Sequence, residues 1–350
     1  MKSRIYLDHA ATAPLLDSAR AAMLEGFARW ANPSSPHASG REARALLEDA
    51  RRRIAAALGW EGHILFTSGA SEALAMALGR STASGILAGA TEHDAVLRHV
   101  AVAQRLAVDQ DGLVRLPETI APGTLVVIQH VNSETGLIQP LDAMAEQVHA
   151  AGGHLLADCS QSAGKLALPE GADLIALSAH KLGGPIGIGA LLVKDLALIR
   201  PVGGQEQGYR AGTEAMPLAC GFAAALEAPV AWLDAVARWR MALDKAIVAA
   251  GGVVVAGDGA RLPTIGSYRM PGVSAQAQLI RFDMAGIAVS AGSACSSGSL
   301  RTSHVLAAMG WDESAASQVI RVSMGHDSEA GDIDAFLAQW QAIATDMRSR

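Results

Sequence analysis

The chain has 350 residues, 50% hydrophobic and only 4% aromatic, which is enough to bury a large core of small and branched side chains, divided between a larger and a smaller unit. Its 28 basic and 34 acidic residues leave a net charge of -6 with no basic patch, arguing against direct nucleic-acid binding, and its three cysteines supply neither a disulfide framework nor a metal cluster. No apolar run approaches the roughly 18 to 20 residues of a membrane span, and the N-terminal residues lack a signal-peptide core, so a reduced, cytoplasmic protein without a membrane or metal partner is expected.

In chain order, Arg51-Arg52-Arg53 lies in a helical pattern and reads as a solvated face. Strands are then expected at 64–67, 85–88, 125–129, 154–158, 174–177 and 190–193. Helices are expected between them at 71–78, 94–106 and 141–151. This alternation predicts an α/β fold, a mainly parallel sheet between helices. Residues 217–250 read as helices broken near Pro229. Beyond Gly251-Gly252 the texture changes, and short strands at 253–256, 264–269, 288–291 and 319–323 suggest a smaller α+β unit beginning near residue 240.

Residues able to do chemistry cluster at the strand ends, where ligands collect in open α/β sheets. Asp158-Cys159-Ser160-Gln161 follows one strand and Ser178-Ala179-His180-Lys181 another. An amine that forms a Schiff base and an acid that holds a pyridinium are what pyridoxal 5'-phosphate (PLP) requires. Thr67-Ser68-Gly69-Ala70-Ser71-Glu72 joins a strand to a helix, with Ser71 as expected N-cap; such a start serves as a plain cap or a phosphate cradle. His93, at another strand-to-helix junction, suits a ring-stacking proton shuttle or a simple cap. Cys295 lies in the Gly/Ser-rich run Ser290-Ala291-Gly292-Ser293-Ala294-Cys295-Ser296-Ser297-Gly298-Ser299, a setting for a reactive rather than a structural thiol. Cys159 and Cys220 lie among apolar residues and read as structural.

Taken together these strings resemble the cysteine desulfurases, in the class V aminotransferase group of fold-type I PLP-dependent enzymes. The resemblance runs nearly end to end, through Tyr6-Leu7-Asp8-His9-Ala10-Ala11-Thr12, Asn32-Pro33-Ser34-Ser35, the Ser71 and His93 segments, Ser178-Ala179-His180-Lys181, Gly203-Gly204-Gln205-Glu206-Gln207-Gly208-Tyr209-Arg210-Ala211-Gly212-Thr213, the Cys295 run and Ile320-Arg321-Val322-Ser323. It implies a large PLP-binding domain over 14–240 and a small domain, 1–13 with 241–350, that carries the Cys295 loop. It further implies that Lys181 is the Schiff-base lysine, that Asp158 holds the pyridinium and Gln161 the ring hydroxyl, and that His93 stacks on the ring. Ala70, Ser71, Ser178 and His180 would surround the phosphate, with Thr213 reaching the cofactor of a second copy in a homodimer. Arg321, helped by Asn32, would bind the carboxylate of L-cysteine. The product would be L-alanine, and the sulfur would remain as a persulfide on Cys295 for an unidentified acceptor protein, in iron–sulfur cluster assembly or in tRNA or cofactor thiolation.

Three departures from the family pattern stand out. Ser133 occupies the usual place of an asparagine beside the cofactor ring, Ser71 that of a threonine, and the sequence ends soon after its last helical pattern, where scaffold-using relatives extend further. A selenocysteine lyase or another class V lyase or transaminase is the second enzymatic reading, and a catalytically degenerate regulatory or scaffold paralogue the third. Retention of Lys181, Asp158, His93, Cys295 and Arg321 together disfavours degeneracy.

Overall fold

A computed structural model describes residues 4–292 and 303–348. In chain order it contains β1 (Ile5–Tyr6), α1 (Asp17–Ala28), α2 (Ala38–Leu58), β2 (His63–Thr67), α3 (Ala70–Gly79), β3 (Gly85–Gly89), α4 (Asp94–Leu97), β4 (Arg105–Leu106), β5 (Thr124–Gln129), α5 (Leu141–Ala150), β6 (His154–Asp158), β7 (Leu174–Ser178) and β8 (Gly189–Val193). There follow α6 (Met216–Leu226), α7 (Trp232–Ala249), β9 (Val253–Val254), β10 (Ile265–Arg269), α8 (Ala275–Met284), β11 (Ile287–Ala288), α9 (His304–Ala308), α10 (Glu313–Ala316), β12 (Val319–Ser323) and α11 (Ala330–Arg348).

Strands β2 to β8 form one seven-stranded sheet in the order β2-β8-β7-β6-β5-β3-β4. All neighbours are parallel except β8, which runs antiparallel to both β2 and β7. Alternate side chains of the central strands enter different cores. Val126, Ile128, Leu155, Ala157, Ile175 and Leu177 join one, with α2 and α6. Leu125, Val127, Leu156, Leu174 and Ala176 join the other, with α3. Burial on both faces explains why these strands read as continuous apolar runs rather than as alternating ones.

A second, antiparallel sheet, β12-β10-β9, and the parallel pair β1-β11 surround a separate aromatic core. There Phe282 stacks on Phe336 with ring centres 4.8 Å apart, beside Trp340 and Tyr268. Leu7 and residues Val236, Leu243 and Ile247 of α7 belong to the same core. No described helix is long and apolar enough to cross a membrane.

Four sequence expectations need correction. The helix expected at 94–106 ends at Leu97, and the chain returns as β4 to pair with β3. Val96 and Val100 have helical spacing, but Leu106, six residues further on, is buried as a strand residue. The strand expected at 288–291 shrinks to Ile287–Ala288, with Ser290 making a separate bridge to Arg321. The helix expected to begin at Ser71 begins at Ala70 with Gly69 as its cap, so Ser71 lies in the first turn and caps nothing. Arg51 is no solvated residue: its side chain is 15% exposed, lies over the Phe66 ring and forks onto Glu206 at 2.8 and 3.1 Å. Buried carboxylates demand such a partner, and Glu206 comes from a loop that the local helical pattern could not anticipate. Cys159 and Cys220 are buried, as read from their apolar surroundings.

Candidate active site

The carboxyl ends of the parallel strands open onto one cavity of about 390 Å³. Ala70, Ser71, His93, Ser133, Asp158, Gln161, Ser178, His180, Lys181 and Arg321 all line it. Asn32 and Thr213 do not; both are exposed, and Asn32 Oδ1 accepts the Ser34 N–H at 2.9 Å. Cys295 lies outside the described residues.

One end of the cavity is formed by the start of α3. The first helical bond is accepted by Gly69 from Ala73, which leaves the N–H groups of Ala70, Ser71 and Glu72 without a partner within the helix. Gly69 has φ of 150°, a conformation that other residues rarely adopt. Here β8 passes so close that a Cβ on Gly189 would fall 2.7 Å from the Gly69 Cα. Glu72 accepts from Ser68 N and, at 2.9 Å, from Arg210 Nε. Burial pushes the Glu72 carboxyl up, but the bonds from Ser68 and Arg210 outweigh it and hold the pKa below its usual value.

The middle of the cavity belongs to β6 and β7. Asp158, the buried last residue of β6, accepts the Ser160 N–H at 2.9 Å and the Ser160 hydroxyl through Oδ1. Gln161 donates from Nε2 to the Ala10 carbonyl at 2.9 Å, while its buried Oε1 has no hydrogen-bond partner among the described residues. A short 3-10 turn after β7 brings Lys181 forward, and its Nζ donates to the carbonyls of Ala10 and Ala11 at 2.7 and 2.8 Å. The segment after β1 therefore crosses the cavity as a partner of both Gln161 and Lys181.

His93 caps α4, with Nδ1 accepting the Ala95 N–H at 3.1 Å, and its ring borders the cavity at the same time. Partial loss of water lowers its pKa and Lys181 adds to the lowering, while Asp158 opposes it. His180 contacts the Thr12 hydroxyl through Nδ1 at 3.1 Å; burial, then Lys181, pushes its pKa down to about 4. It is therefore neutral at pH 7.

Arg321, on β12, reaches the far end. Nη1 donates to the Ser133 carbonyl at 3.0 Å and Nη2 to Asp8 Oδ1 at 2.8 Å, and its buried Nε has no acceptor among the described residues. The contact with Ser133 uses the main chain, so the short serine side chain leaves it intact. Asp8 is a site residue to which the sequence motifs assign no role; a lone acid directly after the apolar string Ile5-Tyr6-Leu7 is the one local signal for it. The described ends of the Cys295 segment flank the cavity. Ser290 exchanges backbone bonds with Arg321 at 3.1 and 2.7 Å, Ser303 donates to the Glu134 carboxylate, and His304 Nε2 meets the carbonyl of Glu92, next to His93, at 2.9 Å.

The aminotransferase class-V family model matches residues 5–336. The chain is 34% identical to a cysteine desulfurase of Cereibacter sphaeroides over 99% of this chain and 97% of that protein. The chain belongs to the cysteine desulfurases of the class-V aminotransferase family. It is also similar to the X-ray structure of a NifS-like protein from Rickettsia africae ESF-5, with a TM-score of 0.89 and 30% identity over 98% of this chain and 99% of the other. A structure of SspA in complex with cysteine gives a TM-score of 0.80 and 29% identity over 91% and 98% of the two chains. The family resemblance and the α/β, fold-type I architecture expected from the motifs are thus borne out.

Proposed function

We propose that this cysteine desulfurase uses PLP held at Lys181 to convert L-cysteine to L-alanine, and that it leaves the sulfur as a persulfide on Cys295. The observation that carries this reading is the shared cavity: Lys181, Asp158, the unpartnered Gln161 Oε1 and the open N–H groups of α3 all border it. The donor set fits PLP. The start of α3, with Ser71, Ser178 and His180, would take the phosphate. Gln161 Oε1 would accept the ring hydroxyl; left unmade, such a buried bond costs about 1–3 kcal/mol. Asp158 would keep the ring nitrogen protonated, and His93 would cover the ring face. When bound, PLP supplies an electron sink that permits loss of the substrate's α-proton.

The chain's own residues then have distinct tasks. Arg321 would fork onto the substrate carboxylate, helped by Asn32, which requires the Asp8 contact to be shared or displaced. The Lys181 amine would move the proton at the α-carbon. The Cys295 thiolate would attack the substrate sulfur: an S–S bond forms, the carbon–sulfur bond breaks, and its electron pair stays with the three-carbon fragment, which takes a proton and leaves as alanine. In the division into 14–240 and 1–13 with 241–350, Lys181 belongs to one unit and Arg321 and Cys295 to the other. Thr213 would serve the cofactor of a second copy, making the working unit a homodimer. The persulfide would pass to an acceptor protein for iron–sulfur cluster assembly or for tRNA or cofactor thiolation.

Intact-protein mass spectrometry after incubation with PLP and L-cysteine tests this, with alanine assayed in parallel. The expected result is a one-sulfur adduct and alanine in the wild type, and no adduct in Cys295→Ala. A PLP-loaded protein that forms neither would refute the proposal.

A further inference from the structure

Lys165 has no part in the proposed reaction, yet it touches the main chain of two residues that do. It follows Gln161 by one helical turn, and its Nζ donates to the carbonyls of Gln161 and Lys181, each at 3.0 Å. The residue is half-buried, and both of these acceptors are main-chain carbonyls rather than solvent. One cation thus clasps the backbone of the residue that sends an amine into the cavity and of the residue that sends an amide there.

The electrostatics are unusual. A small cavity of about 40 Å³ is bordered by Lys165, Lys181, Gln161, His9 and His326, and no Asp or Glu is among its described lining residues. Asp327, which follows His326 in the chain, is engaged by His9 Nε2 at 2.6 Å. Burial, and after it the charge of Lys181, lowers the pKa of Lys165 to about 7. Such a coupling is mutual: if a charge on Lys181 disfavours one on Lys165, the reverse holds equally. Asp158 and the rings of His93 and His180 line the larger cavity together with Lys181, whose charge adds to the lowering of both histidine pKa values. Lys165 approaches from behind, through the backbone that carries Lys181.

We propose that Lys165 is a positioning residue for the reaction, fixing the carbonyls of Lys181 and Gln161 and opposing a positive charge on the Lys181 nitrogen. A Lys181 amine that is to accept the α-proton must be neutral beforehand, and a neighbouring cation favours that form. The inference rests on the reading of Lys181 as the PLP-bearing lysine.

The test is a pH titration of the visible absorbance of the PLP-loaded protein, which reports protonation of the nitrogen joining Lys181 to the cofactor. Wild type is compared with Lys165→Met and Lys165→Gln. Both substitutions remove the cation, so both midpoints should rise by about one pH unit. A loaded, folded variant with an unmoved midpoint would overturn the inference, since a purely structural role predicts no shift. If neither variant folds, Lys165→Arg decides: it holds a cation there throughout, so its midpoint should lie at or below that of wild type, and a midpoint above it overturns the inference. Wild type that takes up no PLP would sink the cofactor reading and this inference together, whereas an unmoved midpoint sinks this inference alone.

Discussion

The wall of the cavity and its rim are built in different ways. The wall stands on strand ends: Asp158 closes β6, Ser178 closes β7, and Lys181 follows within three residues, each fixed by strands buried on both faces. The rim is a surface of exposed loops. Asn32 and Thr213 lie there, outside the cavity lining, on two segments joined by the Ser34 hydroxyl donating to Gln205 Oε1 at 3.1 Å. Two ion pairs tie the rim to the wall, Arg51 with Glu206 and Arg210 with Glu72. A wall residue needs only its own chain to be in place. A rim residue that the family pattern assigns to the site needs something more, which the proposed second copy would supply.

The wall should therefore be the half whose loss ends the chemistry. Lys181→Ala is expected to lower cysteine turnover by at least about 10⁴-fold, since one change removes both the proposed attachment point of the cofactor and the proposed proton carrier. The protein should still fold, because the Lys181 side chain contributes little to either core. Alanine production by the purified variant is the measurement, and turnover close to that of wild type would mean that the chemistry is not built on this wall.

The same contrast sets what is legible in the sequence. Wall residues are legible because buried parallel strands write themselves as short apolar runs, and a ligand site follows from where those runs stop. Asp158, His180 and Lys181 can be placed in this way from the amino-acid sequence alone. Residues that meet through long-range contacts cannot. Asp8 against Arg321 joins positions 313 apart in sequence, and Arg51 against Glu206 joins positions 155 apart. Neither distance leaves a local pattern. The helix expected at 94–106 fails for a related reason. Apolar spacing cannot distinguish a continuing helix from a turn back into a strand when the deciding partner, β3, is supplied by tertiary pairing.

The ties between wall and rim come next in size. Glu206 is fully buried at its carboxylate, accepts the Phe66 N–H at 2.8 Å, and sits with Gln207 in the left-handed region, at φ of 51° and 56°. Arg51→Met would leave that charge without its partner, at an expected cost of about 3–5 kcal/mol. Urea unfolding of the apoprotein would measure it. A loss below about 1 kcal/mol would class the pair with exposed ion pairs and leave the rim held by something else.

The rim itself should affect affinity rather than catalysis. If Thr213 gives a hydrogen bond to the phosphate of the second copy's cofactor, Thr213→Ala should weaken PLP retention about tenfold, the value of one such bond. Wild type should lose the same increment on dilution into monomers. Cofactor release followed by absorbance at several protein concentrations checks both. Release that is independent of concentration and of the substitution would show the wall to be sufficient by itself.

The smallest expected effect concerns acid. His180 belongs to the wall, and burial and Lys181 hold its pKa at about 4 in the folded chain, against about 6.5 in an unfolded one. The folded state thus binds fewer protons than the unfolded state between those values. The stability this contributes is fully present above about pH 6.5 and is lost as pH falls toward 4. His93, His130 and His326 are shifted in the same direction, so the acid sensitivity of the whole chain does not isolate one residue. The difference between wild type and His180→Gln does. Thermal unfolding of the two apoproteins should give a gap that is constant above about pH 6.5 and changes steadily in favour of the variant as the solution is acidified. A gap that stays constant down to about pH 4 would mean that His180 takes its proton as readily in the folded wall as in the unfolded chain.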